Sequence, residues 1–478
     1  MRLVRLMRRM LFTAAVLISV ACTPEAPPSQ ELLTREDIEA AYIWGLPIVA
    51  MYRYTVPMGT RVDGVNQVFH YRELFEPGVL PGGANNDTLY SFGWFDLADE
   101  PIVVSLPNFR DRYYVWQMTD MYSHNFANIG SDLLGKPTNP GNYSFMMVGP
   151  DWRGDAPQEL KVVRAPVDII NVLYRIQVQD DPSDISAANR LQDLTFTMPL
   201  SAYRAGGEET VRVLPSKPWI EYREAITFGQ GTTGDDQRNP EFFSVLHDAL
   251  AMNPVYTPWD QEFVSQTLQK LGVGTEAGFN FSAFDQQTQS LILDAQASAF
   301  DKVMALKESG YGPKHAGWQY GPSHHGNWEG DFLRRAYATF MGGMWPKPEN
   351  STYALAFHDL DQNALEGTNA YRLRFTQEQL PPATKFWSVT AYEAGTFDLY
   401  PNDQGKHVVG SNHPSTIFHE DGGIEIVFSH LPPENQIGNW LPVPQGEFFV
   451  AVRFYAPTPD VLRLEYKIPG IEAIPNPD

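Results

Sequence analysis

Two stretches of short aromatic and β-branched runs, about 62–226 and 353–468, are separated by roughly a hundred residues with helical spacing. No other feature limits the fold as much. In the first stretch, 89–97, 102–106 and 112–119 are strand-like and set apart by Gly, Pro, Asn and Asp. In the last, 370–375, 386–392, 424–428 and 447–455 are strand-like; Phe448, Val450, Val452 and Phe454 alternate onto one face. Between them, Asn239-Pro240 opens a helix over 241–252, and Thr257-Pro258 opens another that Gly272 closes. Ser282 with Asp285 starts a third that runs to about Ser309, and a fourth spans about 331–340. Near the beginning, Thr34 and Asp37 have capping-box spacing ahead of Ile38, Tyr42 and Leu46; the segment after Pro47 either extends that helix with a kink or ends it.

These textures give an α+β, mainly β fold: an N-terminal helix, a β domain, a helical section and a second β domain. The expected divisions are 34–230 (an N-terminal helix and β domain), 231–350 (helices) and 351–478 (β-sandwich). The β regions also echo each other. Arg112-Tyr-Tyr-Val-Trp and Lys385-Phe-Trp-Ser-Val each open with a cation and two aromatics after a proline-containing loop, which points to a duplicated sandwich.

Ahead of this body, Arg2, Arg5, Arg8 and Arg9 precede an apolar run that ends at Ala21, and Cys22 follows. That is the pattern of a cleaved lipoprotein signal over 1–21, with Cys22 as the lipidated residue and a Pro-rich tether over 22–33. The expected location is the cell envelope, lipid-anchored and facing the periplasm, with the outer membrane favoured because Thr23 replaces the retaining Asp. Cys22 is the single cysteine, which excludes disulfides, cysteine nucleophiles and thiolate metal sites elsewhere. A net charge of −22 repels phosphate backbones and so argues against nucleic acid as a partner. The expected partners are the membrane, through the anchor, and a saccharide or other small molecule.

Several motif-like runs fail on chemistry. Gly229-Gln-Gly-Thr-Thr-Gly234 is followed by two aspartates that would repel phosphates, and its helix starts too late. Gly130–Lys136 resembles a P-loop, but Pro137 replaces the magnesium-binding hydroxyl. Asp359-Leu-Asp-Gln-Asn363 lacks both the glycine and the closing glutamate of a calcium loop, and a hairpin turn fits it better. His315, His324, His325 and Glu329 form a histidine-rich cluster, but Pro322 and Gly326 break any shared helix face, so a polar loop is favoured over a metal site. No G-x-S-x-G elbow is present, and no cofactor is implied.

The most specific block is Asn85-Asn86-Asp87-Thr88-Leu89-Tyr90, followed by Arg112 to Asp120. By period two, Arg112, Tyr114, Trp116, Met118 and Asp120 share a face. An aromatic ribbon framed by charge suits a ring-bearing ligand, and a sandwich core strand suits the same pattern equally well. Asn86-Asp87-Thr88-Leu89-Tyr90-Ser91, Asp96-Leu97, Arg112-Tyr113-Tyr114 and Ile129-Gly130-Ser131 resemble the domain of unknown function DUF1254. Phe386-Trp387-Ser388-Val389-Thr390, Asn439-Trp440-Leu441-Pro442-Val443-Pro444 and Arg453-Phe454-Tyr455-Ala456-Pro457 resemble its companion DUF1214. The resemblance implies two β-sandwich or jelly-roll-like domains joined by helices and no established catalytic residue.

The expected function is therefore an envelope lipoprotein that binds a saccharide or other small polar-aromatic ligand in an inter-domain groove, through Asn86, Asp87, Arg112, Tyr114 and Trp440. The alternative is an envelope hydrolase or lyase, with Asp87, Arg112, Tyr113 and Asp120 as first suspects.

Overall fold

A computed structural model describes residues 33–59, 65–79, 83–131, 142–207, 209–211, 237–433 and 439–476. The expected signal segment, Cys22, the 229–234 glycines and 132–137 of the P-loop-like run lie outside them. Helix α1 (Arg35–Gly59) is capped reciprocally: Thr34 Oγ1 accepts from the Asp37 amide at 3.1 Å, and Asp37 accepts from the Thr34 amide at 3.0 Å. It runs on through Pro47. Tyr42, Trp44, Leu46, Ile48, Val49 and Met51 are all buried, so this helix is surrounded on every side.

The strands of the first half are β1 (Gln67–His70), β2 (Thr88–Asp96), β3 (Ile102–Leu106), β4 (Tyr114–Asp120), β5 (Asn125–Gly130), β6 (Tyr143–Val148), β7 (Lys161–Arg164), β8 (Ile169–Gln177) and β9 (Phe196–Pro199). They form sheets of order β1-β2-β8-β4-β5 and β7-β6-β3-β9. Helix α2 (Pro182–Asp193) follows β8, capped by Asp181. The helical section supplies α3 (Phe242–Met252), α4 (Pro258–Gln266), α5 (Gln286–Met304) and α6 (Phe332–Gly342). Helices α3, α5 and α6 pack around α1, so the first helix is the centre of the helical layer. The cap of α5 is Asp285 and not Ser282, which lies in a separate 3-10 turn.

The second half contributes β10 (Lys314–His315), β11 (Trp318–Tyr320), β12 (Ser351–Ala356), β13 (Ala370–Phe375), β14 (Ala383–Glu393), β15 (Val408–Gly410), β16 (Ile424–Ser429), β17 (Trp440–Pro442), β18 (Phe448–Pro457) and β19 (Glu472–Ile474). Their sheets run β10-β11-β12-β18-β14-β15 and β17-β16-β13-β19. The Asp359–Asn363 segment is a hairpin turn, closed by the Asn363 amide on Asp359 at 2.8 Å and by an antiparallel bridge between His358 and Ala364, but β12 and β13 lie in different sheets, so the connection as a whole crosses between layers.

The two halves are one design used twice. Adding ten to every strand number in the first pair of sheets reproduces the second pair, apart from the extra edge strand β10. Both four-stranded sheets also carry their parallel pair at the same edge. Cross-strand register fixes the equivalence. Tyr90, Arg175 and Val115 are neighbours across the first large sheet, and Tyr353, Arg453 and Ser388 are neighbours across the second. In that register Arg112 matches Lys385, as the sequence echo has it.

Each large sheet turns one face into its own sandwich. Leu89, Tyr114, Trp116, Val172, Tyr174 and Ile176 fill the first, and Trp387, Val389, Val450, Val452 and Phe454 fill the second. The outer faces of the two large sheets meet each other. Tyr113 and Val115 pack there against Phe386 and Tyr455, and the Phe386 and Tyr455 rings stack at 4.0 Å.

Candidate functional site

Strands β8 and β18 are the inner strands of the two large sheets and are buried along almost their whole length, so each has apolar side chains on both faces. Each carries one arginine toward the opposite half. Arg175 is 2% exposed and Arg453 is 4% exposed. Between the sheets, roofed by the end of α6, lies a cavity of about 300 Å³.

The walls of this cavity are largely apolar: Met51, Phe92, Leu173, Met341, Met344, Trp345, Leu355, Phe397 and Phe449. Polar groups gather around the two guanidinium groups. Arg175 Nη1 donates to the Tyr353 hydroxyl at 3.1 Å, while its Nε and Nη2 are buried without a partner among the described residues. Arg453 Nη2 donates to the Gly83 carbonyl at 2.9 Å and to the Tyr392 hydroxyl, and its Nη1 is likewise unpartnered. Arg453 also lies over the rings of Tyr353 and Tyr392, at 5.6 and 5.3 Å. Tyr353 is thus touched by both cations. Burial pushes the Tyr90 and Tyr392 phenols up, so both are neutral hydroxyls at neutral pH.

Behind Arg453 lies Asp87, fully buried. The Asn85 side chain accepts from the Asp87 and Thr88 amides, both at 3.0 Å, and this turn fixes the start of β2. One Asp87 oxygen accepts from Ser388 at 2.6 Å and Tyr455 at 2.8 Å, and the other lies 3.5 Å from His413 Nε2. Burial acts to raise this carboxyl. Contact with His413, the charge of Arg453 and the Ser388 hydrogen bond outweigh it and hold the group below the usual aspartate range. The charge of Asp87 therefore acts on Arg453, without an ion pair joining the two among the described residues. Arg175 also makes no ion pair among the described residues, and the neighbours of its guanidinium are the phenols of Tyr353, Tyr113, Tyr90 and Tyr455.

The five site residues read from the sequence do not converge here. Asp87 stands one layer behind the cavity wall. Asn86 is buried beside it with its Oδ1 unpartnered, while its neighbour Asn85 lines the space. Arg112 is spent on Asp184 of α2 and on the Gln177 carbonyl, stapling the start of β4. Tyr114 points into the first sandwich and stacks on Phe109 at 3.8 Å. Trp440 donates to the Ser429 carbonyl at the edge of the second sandwich. The shared face of Tyr114, Trp116 and Met118 is core. Tyr113 and Gln117, on the other face of that segment, look toward the second half.

Nor do Asp87 and Asp120 form a catalytic pair. They stand at opposite ends of the sheet, level with Val178 and Ile170 of β8 and so about 26 Å apart along the strands at about 3.3 Å of rise per residue. Asp120 instead accepts from Tyr256 at 2.5 Å and from the Tyr122 and His124 amides, and burial raises its carboxyl. The histidine cluster also separates. His324 bonds Asp331 at 3.2 Å while His325 is buried among aromatic rings, and the described residues hold no group of three or more metal-ligating side chains.

Sequence reasoning passed over Arg175, Arg453, Tyr353, Tyr392 and His413. The available signal was a lone arginine inside an otherwise apolar strand, occurring twice: Val172-Leu-Tyr-Arg175-Ile and Val450-Ala-Val-Arg453-Phe.

Residues 65–198 match the model of the family described as a protein of unknown function, DUF1254, and residues 350–459 match that of DUF1214. The chain belongs to the DUF1254/DUF1214 family. The DUF1254 segment contributes Asn85, Asp87, Tyr90, Phe92 and Arg175 to the site; the DUF1214 segment contributes Tyr353, Tyr392, His413 and Arg453. The cavity thus takes one wall from each of the two matched segments. The crystal structure of the VPA0106 protein from Vibrio parahaemolyticus is similar over 92% of this chain and 99% of its own, at 22% identity and a TM-score of 0.65, and so has the same fold. A crystal structure of an uncharacterised protein from Burkholderia cenocepacia covers 91% of this chain and 87% of its own, at 10% identity and a TM-score of 0.41. No curated protein matches the chain.

Proposed function

We propose that this protein binds a small amphipathic carboxylate, with the acid group between Arg175 and Arg453 and the apolar body against Phe92, Leu173, Met344 and Phe449. The observation that carries this reading is Arg175, a buried cation that has two unpartnered donors and no carboxylate in contact among the described residues. An uncompensated buried charge costs several kcal/mol, so a fold that retains one has a use for it. Two guanidinium groups and one aspartate leave a single positive charge, which a monoanion neutralises. The planar fork of a guanidinium matches a carboxylate edge. A cavity of about 150 Å³ takes a benzene, so one of twice that size takes a ligand of roughly a dozen non-hydrogen atoms. A saccharide fits less well, because its hydroxyls would face mostly hydrocarbon.

Titration calorimetry with phenylacetate and octanoate, each against its neutral amide, tests this. Binding of an acid with at least tenfold preference over its amide is the expected result; equal binding, or none to any acid of that size, refutes it.

We place the binding body outside the cytoplasm, tethered by lipid on Cys22, on the strength of the arginine-rich, apolar and cysteine-terminated leader. Radiolabelled palmitate fed to expressing cells is expected to label the wild type and not Cys22→Ser. Label in neither protein would remove the anchor.

A further inference from the structure

Trp345 lines a second space besides the main cavity. A smaller space of about 20 Å³ adjoins it and shares Met341, Trp345, Tyr353 and Leu355 as common wall. Its far side is made by Tyr311, Gln319, Gly321, His325 and Tyr337. Two polar atoms there are buried without a partner among the described residues: His325 Nε2 and the Tyr311 hydroxyl. His325 is 4% exposed, and its ring is enclosed by Trp345 at 4.8 Å, Trp328 at 5.3 Å and Tyr311 at 5.5 Å. No acidic side chain bonds it, and the neighbouring His324 turns away to Asp331.

We infer that this side pocket is the second recognition point of the ligand site, and that the ligand is a hydroxy or oxo acid whose distal oxygen reaches His325 and Tyr311. The inference rests on the carboxylate reading above and narrows the ligand class. A pocket of this size accepts one oxygen atom and no more, since one water needs about 10–15 Å³. Its two polar atoms complement that oxygen in either form. A neutral imidazole nitrogen accepts from a hydroxyl or, in its other tautomer, donates to a carbonyl, and the tyrosine does whichever remains. Burial, with the charge of His324 a smaller influence, lowers the His325 pKa to about 3, so the ring is neutral at any ordinary pH. The pocket therefore selects neutral oxygen while the arginine end selects charge. Trp345 and Tyr353, in edge-on contact at 5.4 Å between ring centroids, form part of the wall that the two spaces share.

Calorimetry on the wild type with matched pairs decides this: phenylacetate against 4-hydroxyphenylacetate, and octanoate against 8-hydroxyoctanoate. At least one hydroxylated member is expected to bind about tenfold tighter than its parent, and that ratio is expected to fall to about one in both His325→Phe and Tyr311→Phe. Equal affinity within both pairs in the wild type means that the side pocket holds only a structural water and overturns the inference, while the carboxylate reading stands. A wild-type preference that persists in both variants overturns it as well. Failure of every acid to bind, parent or hydroxylated, overturns both readings.

Discussion

Arg175→Met is expected to make the empty protein more stable while abolishing its affinity for carboxylates. Arg175 sits at the centre of a sheet among phenols, and two of its donors are unpartnered among the described residues. Methionine has similar reach and no charge to desolvate. Replacing an uncompensated buried ion by a hydrophobe of like volume is commonly stabilising, by about 1–4 kcal/mol. Loss of a buried charge-assisted pair to the ligand removes about 3–6 kcal/mol of binding, taking about 1.5–3 kcal/mol per hydrogen bond. Carboxylate affinity should therefore fall by at least a hundredfold. Arg453→Met should behave differently. Arg453 lies by Asp87, so its removal leaves a fully buried carboxylate with less to hold it, and the variant should lose stability as well as binding. Equilibrium unfolding in urea separates the two. A destabilised Arg175→Met would mean that the cation is part of the frame rather than a receptor for ligand.

Asp260→Asn is expected to be among the most damaging single changes in the helical layer, at about 3–5 kcal/mol. Arg335 is fully buried, and its Nη1 meets Asp260 at 3.1 Å. The same oxygen accepts from Trp44 Nε1 at 2.7 Å, and the other accepts from Thr257. Asparagine keeps the shape and removes the charge, leaving Arg335 buried with neutral acceptors alone, the side-chain oxygen at position 260 and the Trp44 carbonyl at 3.3 Å, and two aromatic faces. Burial acts to raise the Asp260 carboxyl, and Arg335, with help from His124 and Thr257, overcomes it and lowers the group far below the ordinary aspartate value. A depressed folded pKa adds stability that is complete above the unfolded value, near 4, and is lost as pH falls below it. The deficit of the variant should therefore be constant from about pH 8 to 5 and shrink only in acid below about pH 4. A deficit that changed between pH 5 and 8 would point to another group, with His124, 3.7 Å from Asp260, the first to examine.

The two results would differ in sign because the two arginines differ in company, and that contrast also shows what a sequence can reveal. Element types were legible, since caps such as Thr34–Asp37 and breakers such as Gly272 act within a few residues. The duplication was legible as well, because Arg112 and Lys385 open equivalent strands. The ligand face was not. Period-two reasoning needs one apolar face and one polar face, but Tyr113, Tyr114, Val115 and Trp116 are all buried, with one set facing the sandwich and the other facing the second half. Without alternation the choice of face was free, and the aromatic ribbon fell on the core side. Arg175 and Arg453 are also 278 positions apart, and only the meeting of two outer sheet faces brings both onto Tyr353. Asp87 was singled out within a turn whose geometry Asn85 controls; its partners Ser388, His413 and Tyr455 are some 300 residues away.

The most direct test of the carboxylate site is a crystal structure with 4-bromophenylacetate, using the anomalous signal of bromine to place the ring. The expected result is a bromine peak inside the cavity between the large sheets, with the carboxylate oxygens within hydrogen-bond distance of both Arg175 and Arg453. A bromine peak at the surface alone, or a ligand in the cavity with its acid group turned away from both arginines, would contradict it.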